Sequence, residues 1–108
     1  MSELNELIND TSDAAKSALK SELIDLIYSA KSESADVIRE TAEKIEKWTT
    51  MKLRGEIDAE ELKELIESRR GTVQQFLNTQ EINLRARLEK VSIGLMDLIT
   101  EKALGVIV

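Results

Sequence analysis

The chain has 108 residues, a net charge of −6, and no Cys, His or Pro. That length suits one domain, residues 1–108. The missing residue types exclude disulfides, thiolate and imidazole catalysis, and Cys- or His-ligated metals. The acidic balance opposes binding to nucleic-acid phosphates.

Aliphatic residues dominate, with one Phe, one Tyr and one Trp. Leu and Ile without rings suit helix–helix seams better than a broad core. With no Pro to stop a helix and no run of strict apolar–polar alternation, the expected class is all-α.

The first helix is predicted over about 3–54. A stripe at steps of three and four runs through Leu4, Ile8, Thr11, Ala15, Ala18/Leu19, Leu23, Leu26, Ala30, Ser34, Val37/Ile38, Thr41, Ile45 and Trp48. Two softer break signals fall within it, Asn9–Asp13 and Ser29–Ser34. Because the stripe stays in phase across both, continuity is expected; the alternative is that these breaks, with Gly71, divide the chain into four or five shorter helices in a compact bundle. Tyr28 and Trp48 lie on or beside the stripe as anchors, Trp48 near Leu62 and Leu65.

The break at 54–58 is well marked. Gly55 suits a helix C-terminus, Asp58 an N-cap, and Glu61 the third position of a capping box. It lies near mid-chain, so the second helix, about 58–104, should fold back on the first as a long antiparallel two-helix hairpin. Each arm would be about 70 Å long at 1.5 Å per residue. The second stripe runs through Leu62, Leu65, Ile66, Arg69, Val73, Phe76, Leu77, Gln80, Leu84, Leu88, Val91, Leu95, Leu98 and Ile99. Gly71-Thr72 is a third soft break, again read through.

A turn centred near residue 56 sets residues level when they are equally far from it. Arg69 and Arg70 then face Glu40 and Glu43, and Arg85 and Arg87 face Asp25 and Glu22. Glu64 and Glu67 face Lys47 and Lys44, and Asp97 faces Lys16. Such pairs set register more than stability. Arg69 and Gln80 fall within the stripe itself, where a polar side chain fixes register and partner choice. Arg69, Gln80, Arg85 and Arg87 are therefore the candidate register and specificity residues.

The stripe widens toward the open end of the hairpin. A two-helix hairpin covers one stripe per helix, so the surplus asks for a second copy and a homodimeric, coiled-coil-like four-helix bundle. The self-association candidates are Leu19, Leu23, Ile24, Ile27, Leu84, Leu88, Val91, Leu95, Leu98 and Ile99. The apolar tail Val106–Val108 is expected to fold over the open end of the bundle.

No nucleotide-binding, calcium-loop or nucleophile-elbow motif occurs. Glu60, Glu61, Glu64 and Glu67 form a solvated face that complements the helix dipole. No catalytic, cofactor-binding or metal residue is expected, and the chain is read as a non-enzyme. No nucleic-acid partner is expected, since the basic side chains of 69–90 are assigned to pairing with the first helix. The first segment lacks the basic and apolar regions of a secretory signal, and no apolar run reaches bilayer length, so a soluble cytoplasmic protein is expected. The functional expectation is a protein–protein interaction, scaffold or adaptor protein acting through an apolar helix face. The alternative is an amphipathic-helix binder of a lipid or other hydrophobic surface.

Overall fold

The computed structural model describes residues 14–103, with side chains placed over 21–101. Four α-helices follow in order: α1 Ala14–Lys31, α2 Asp36–Leu53, α3 Ala59–Leu77 and α4 Ile82–Asp97. α4 passes directly into a π-helical turn, Leu98–Ala103. No strand occurs among the described residues. The soft break at Asn9–Asp13, the side chain of Leu19 and the tail Val106–Val108 lie outside the described residues.

The mid-chain turn has the expected chemistry. α2 ends in a Schellman motif. The Glu56 N–H donates to the Met51 carbonyl at 2.9 Å and the Gly55 N–H to the Lys52 carbonyl at 3.0 Å. Gly55 takes φ +78°, a left-handed conformation that side-chain-bearing residues pay for in steric strain. Asp58 then caps α3: its carboxylate accepts from the Glu61 N–H at 2.8 Å, and the Glu61 carboxylate accepts from the Asp58 N–H at 3.3 Å. Glu60 and Glu61 add negative charge to the first turn.

The two expected long helices are each interrupted, which corrects the reading of unbroken helices over about 3–54 and 58–104. α1 stops at the serine-rich patch. The Ser32 hydroxyl and the Ser32 N–H both reach the Tyr28 carbonyl, at 2.8 and 3.0 Å. The Glu33 N–H tightens onto Ala30 at 3.2 Å. These bonds satisfy the last carbonyls locally, and Ala35 turns extended (φ −73°, ψ 116°) to start α2. α3 runs straight through Gly71 and stops at Asn78. The Thr79 hydroxyl donates to the Phe76 carbonyl at 2.7 Å. The Glu81 carboxylate then caps α4, accepting from the N–H groups of Leu84 and Asn83 at 2.6 and 3.2 Å.

The breaks double the hairpin back on itself. α1 packs against α2 and α4, α2 against α3, and α3 against α4, with α2 also touching α4 across the diagonal. Overall extents are 41 × 24 × 23 Å, well short of the expected arms. The core is aliphatic and comes from every helix: Leu23, Ile27 and Ala30; Ile38, Ala42 and Ile45; Leu62, Ile66, Val73 and Leu77; Leu88, Leu95 and Met96; then Leu98 and Ile99 of the π turn. Trp48 and Phe76 pack at its margin and Tyr28 lies outside it.

The two accessible glycines should respond oppositely to alanine. At Gly55 the positive φ is retained only at a cost, so Gly55→Ala should destabilise by about 1 kcal/mol. At Gly71 an added Cβ meets nothing within 4 Å. Gly71→Ala should therefore stabilise by about 0.5–1 kcal/mol by removing helix-interior backbone freedom. Paired thermal melts would show the opposite shifts; equal shifts would contradict the assignment of one glycine to a turn and the other to a helix.

Candidate interaction surface

Most residues expected to mediate self-association instead lie in the core of a single chain. Leu23, Ile27, Leu88, Leu95, Leu98 and Ile99 are buried, and Ile24, Leu84 and Val91 are half-buried. The doubling-over supplies within one molecule the cover that the unbroken hairpin would have sought from another.

Among the described residues the large apolar side chains that remain exposed are Tyr28 on α1 (47% exposed) and Ile82 at the start of α4 (71%). α1 and α4 are packed together. They also carry the half-buried Ile24, Leu26, Leu84, Val91 and Ile93. The Lys31 ammonium stands 6.0 Å from the Tyr28 ring, a distant cation–π contact.

The register candidates separate. Arg69 is well enclosed, with 17% of its side chain exposed. Its Nε donates to the Thr41 hydroxyl at 2.8 Å, and its Nη2 lies 3.9 Å from a Glu40 oxygen. The Thr41 hydroxyl in turn donates to the Val37 carbonyl at 2.6 Å. This chain ties α3 to α2 at the level the turn predicts. Arg87 pairs with Glu33 at 3.0 Å, beside the first break, instead of facing Glu22 or Asp25. Arg85 is half-buried on α4. Gln80 does not sit in a seam: it belongs to the connection between α3 and α4, where its amide donates to the Thr79 hydroxyl at 2.9 Å. Its place in the stripe presupposed a continuous helix.

Two ion pairs went unforeseen because they span the breaks. Lys31 meets Glu46 at 2.9 Å, joining α1 to α2. Arg70 meets Asp97 at 2.9 Å, joining α3 to α4, and also Glu67 at 3.2 Å. Burial works against the charge of Arg70, but hydrogen bonds and charge from Asp97 and Glu67 outweigh it and hold its pKa above the ordinary guanidinium value. The charge is constant throughout the working pH range, so this link does not titrate through the arginine.

Two open, shallow concavities lie among the described residues. One of about 560 Å³ lies at the mid-chain turn beside Lys52, Ile57 and Ala59. The Asp58 and Glu61 carboxylates on its wall are already engaged in the capping box. Another, of about 460 Å³, runs along the outer face of α2 past Glu40, Glu43, Lys44 and Lys47, with charges of both signs. Among the described residues no helix is long and apolar enough to cross a membrane.

The core also holds an uneven set of hydroxyls. Ser92 donates to the Leu88 carbonyl at 2.6 Å and Thr50 to the Glu46 carbonyl at 2.8 Å. The fully buried Thr49 hydroxyl has no partner. One substitution at two positions should therefore have opposite signs. Thr49→Val removes an unsatisfied buried polar group and should stabilise by up to about 1 kcal/mol. Thr41→Val removes the acceptor of the Arg69 bond and should destabilise by about 1 kcal/mol. Chemical denaturation of both variants tests this, and a loss of stability at Thr49 would mean that its hydroxyl has a partner in solution.

The chain matches no family model, no curated protein and no solved structure, so the geometry carries the functional reading by itself.

Proposed function

We propose that this protein works by contact and not by catalysis, as a protein–protein interaction or scaffold protein of the cytoplasm, and that it associates with copies of itself. The supporting observation is the exposure of Ile82 and Tyr28 on the packed helices α1 and α4, with half-buried Ile24, Leu84, Val91 and Ile93 on the same two helices. Exposed apolar side chains make the centre of an interface, and of the half-buried aliphatics Ile93 shares the Ile82 face of α4; Arg85 and Lys90 of α4 and Glu22 and Asp25 of α1 would supply charged flanks. A dimer formed this way would bring two α1–α4 pairs together as a four-helix layer. That retains the expected homodimer but moves its contact from the buried Leu23, Ile27, Leu88 and Leu95 to the outer residues of the same helices.

The other reading, an amphipathic helix lying on an apolar surface, rests on the aliphatic faces of the helices. In the closed bundle those faces are turned inward, so it requires the bundle to open. Sedimentation equilibrium with and without neutral phospholipid vesicles separates the two. The contact reading expects a reversible dimer that ignores vesicles and whose dissociation constant rises at least about tenfold, a change of about 1.4 kcal/mol, in Ile82→Lys and Tyr28→Lys. Co-sedimentation with vesicles would favour the lipid reading. A wild-type chain that stays monomeric at every concentration and ignores vesicles would remove self-association through this side.

A further inference from the structure

The two breaks lie level with one another. From the first break to the mid-chain turn α2 runs 18 residues, and from the turn to the second break α3 runs 19. The molecule is thus a long helical hairpin creased across one line, with α1 and α4 laid back over α2 and α3.

Neither crease requires a special backbone. Residues 32–35 and 78–81 contain no Gly or Pro. Among the described residues positive φ occurs only at Gly55, in the other turn. Asn78 is already helical (φ −64°, ψ −16°). Ala35 and Glu81 have φ of −73° and −70°, and depart from the helix through ψ alone, at 116° and 160°. The apolar stripe keeps its phase through both creases, since Ile27 and Ile38 on either side of the first, and Leu77 and Leu88 on either side of the second, are all buried and stand three helical turns apart in each case. The closed form is latched by contacts a straight helix could not make. Lys31–Glu46 and Arg70–Asp97 join residues 15 and 27 apart in sequence, which a continuous helix would separate by about 22 and 40 Å.

We propose that the two breaks act as a paired hinge and that the partner for the opened form is a second copy of this chain. Both creases straighten together, α1 and α4 swing away as a pair, and each copy's α1–α4 pair packs on the α2–α3 pair of the other. A second copy is the fitting partner because it restores the aliphatic core and both latching ion pairs, now between chains, with no new complementary surface. Exchange does not depend on the exposed side at Ile82, and the two modes differ in shape. Surface association joins two creased bundles, whereas exchange gives straight arms of about 60 Å over residues 14–53.

The test is refolding of the full chain from denaturant at micromolar and millimolar concentrations, with light scattering and small-angle X-ray scattering on each separated species. Exchange expects an elongated dimer after concentrated refolding. Its longest dimension should exceed the 41 Å of the closed bundle, and it should return to monomer on dilution only as slowly as the chain unfolds. The double variant Asp36→Pro with Ile82→Pro places proline at the first position of α2 and of α4, after residues that are already extended. It suits the creased form and forbids the straight one. It should melt like wild type and give no elongated dimer. Should the double variant not fold, either single variant blocks one arm and serves the same purpose. Conversely, Ser32→Ala, Ser34→Ala, Asn78→Ala and Thr79→Ala together favour helix through both creases and should raise the elongated fraction several-fold. The proposal is overturned if wild type and the alanine variant stay monomeric after millimolar refolding. It is equally overturned if a folded proline variant forms the elongated dimer, or if the only dimer scatters as two closed bundles side by side.

Discussion

The structure depends on one constraint: an apolar stripe on a helix of 16–19 residues must be covered on more than one side, and a single antiparallel partner covers only one. Isolated helices of this length are marginal in water, so each takes its stability from packing. Laying α1 and α4 back over α2 and α3 gives every helix two neighbours and closes a core to which all four contribute. The buried apolar side chains of the described residues are aliphatic apart from Met96, with no ring among them, and this follows from the same geometry. Leu, Ile and Val fill the narrow space between closely packed helices, while the larger rings of Trp48 and Phe76 remain at the margin.

Polar groups then decide how the helices are aligned. Thr41 sits in the core, which would be costly if its hydroxyl were idle. It instead donates to its own helix and accepts from Arg69 of the neighbouring one. A sliding of α3 along α2 by one turn would leave the Thr41 hydroxyl its bond to Val37 but take the acceptor from an enclosed guanidinium, so this pair resists changes of register in a way the interchangeable aliphatics cannot. Arg70–Asp97 and Lys31–Glu46 do the same work across the creases, more weakly because they are partly exposed. Hydrophobic burial thus drives collapse, and these polar links select one alignment among several that would bury similar area.

The part of the fold legible in the sequence is the part written in residue chemistry that has few other uses. Gly55, Asp58 and Glu61 stand at the spacing of a helix end and a capping box, and both motifs formed. Arg69 facing Glu40 followed from that turn alone. The creases were less legible for a physical reason. A helical stripe records which face is apolar at each residue, and a chain that reverses direction without changing which face points inward leaves no mark on that record. Leu77 and Leu88 are separated by 11 residues, which is three helical turns, whether or not the backbone turns back between them. The caps gave little help. Ala35 caps α2 without a side-chain bond, and Glu81 caps α4 although glutamate is not among the favoured N-cap residues. Gly71, the stronger breaker on propensity, is absorbed within α3, and Gln80 was placed on a stripe that the chain leaves before reaching it.

The preserved phase has a consequence for what the chain can do. Because the inward face is the same on both sides of each crease, the creased and straight forms bury one set of side chains and differ mainly in whose side chains meet. Backbone preference is a small part of the difference, since serine, alanine, asparagine and threonine in the creases are only modestly worse helix formers than their surroundings. Loop closure within one chain favours the creased form at low concentration, and association between chains gains against it as concentration rises. Under the proposed exchange, association would be set by concentration and by whatever acts on the eight residues of the two creases, while the core stays unchanged. That would place control of contact at 32–35 and 78–81, where Ser32, Glu33, Ser34, Asn78, Thr79, Gln80 and Glu81 interrupt the aliphatic stripe.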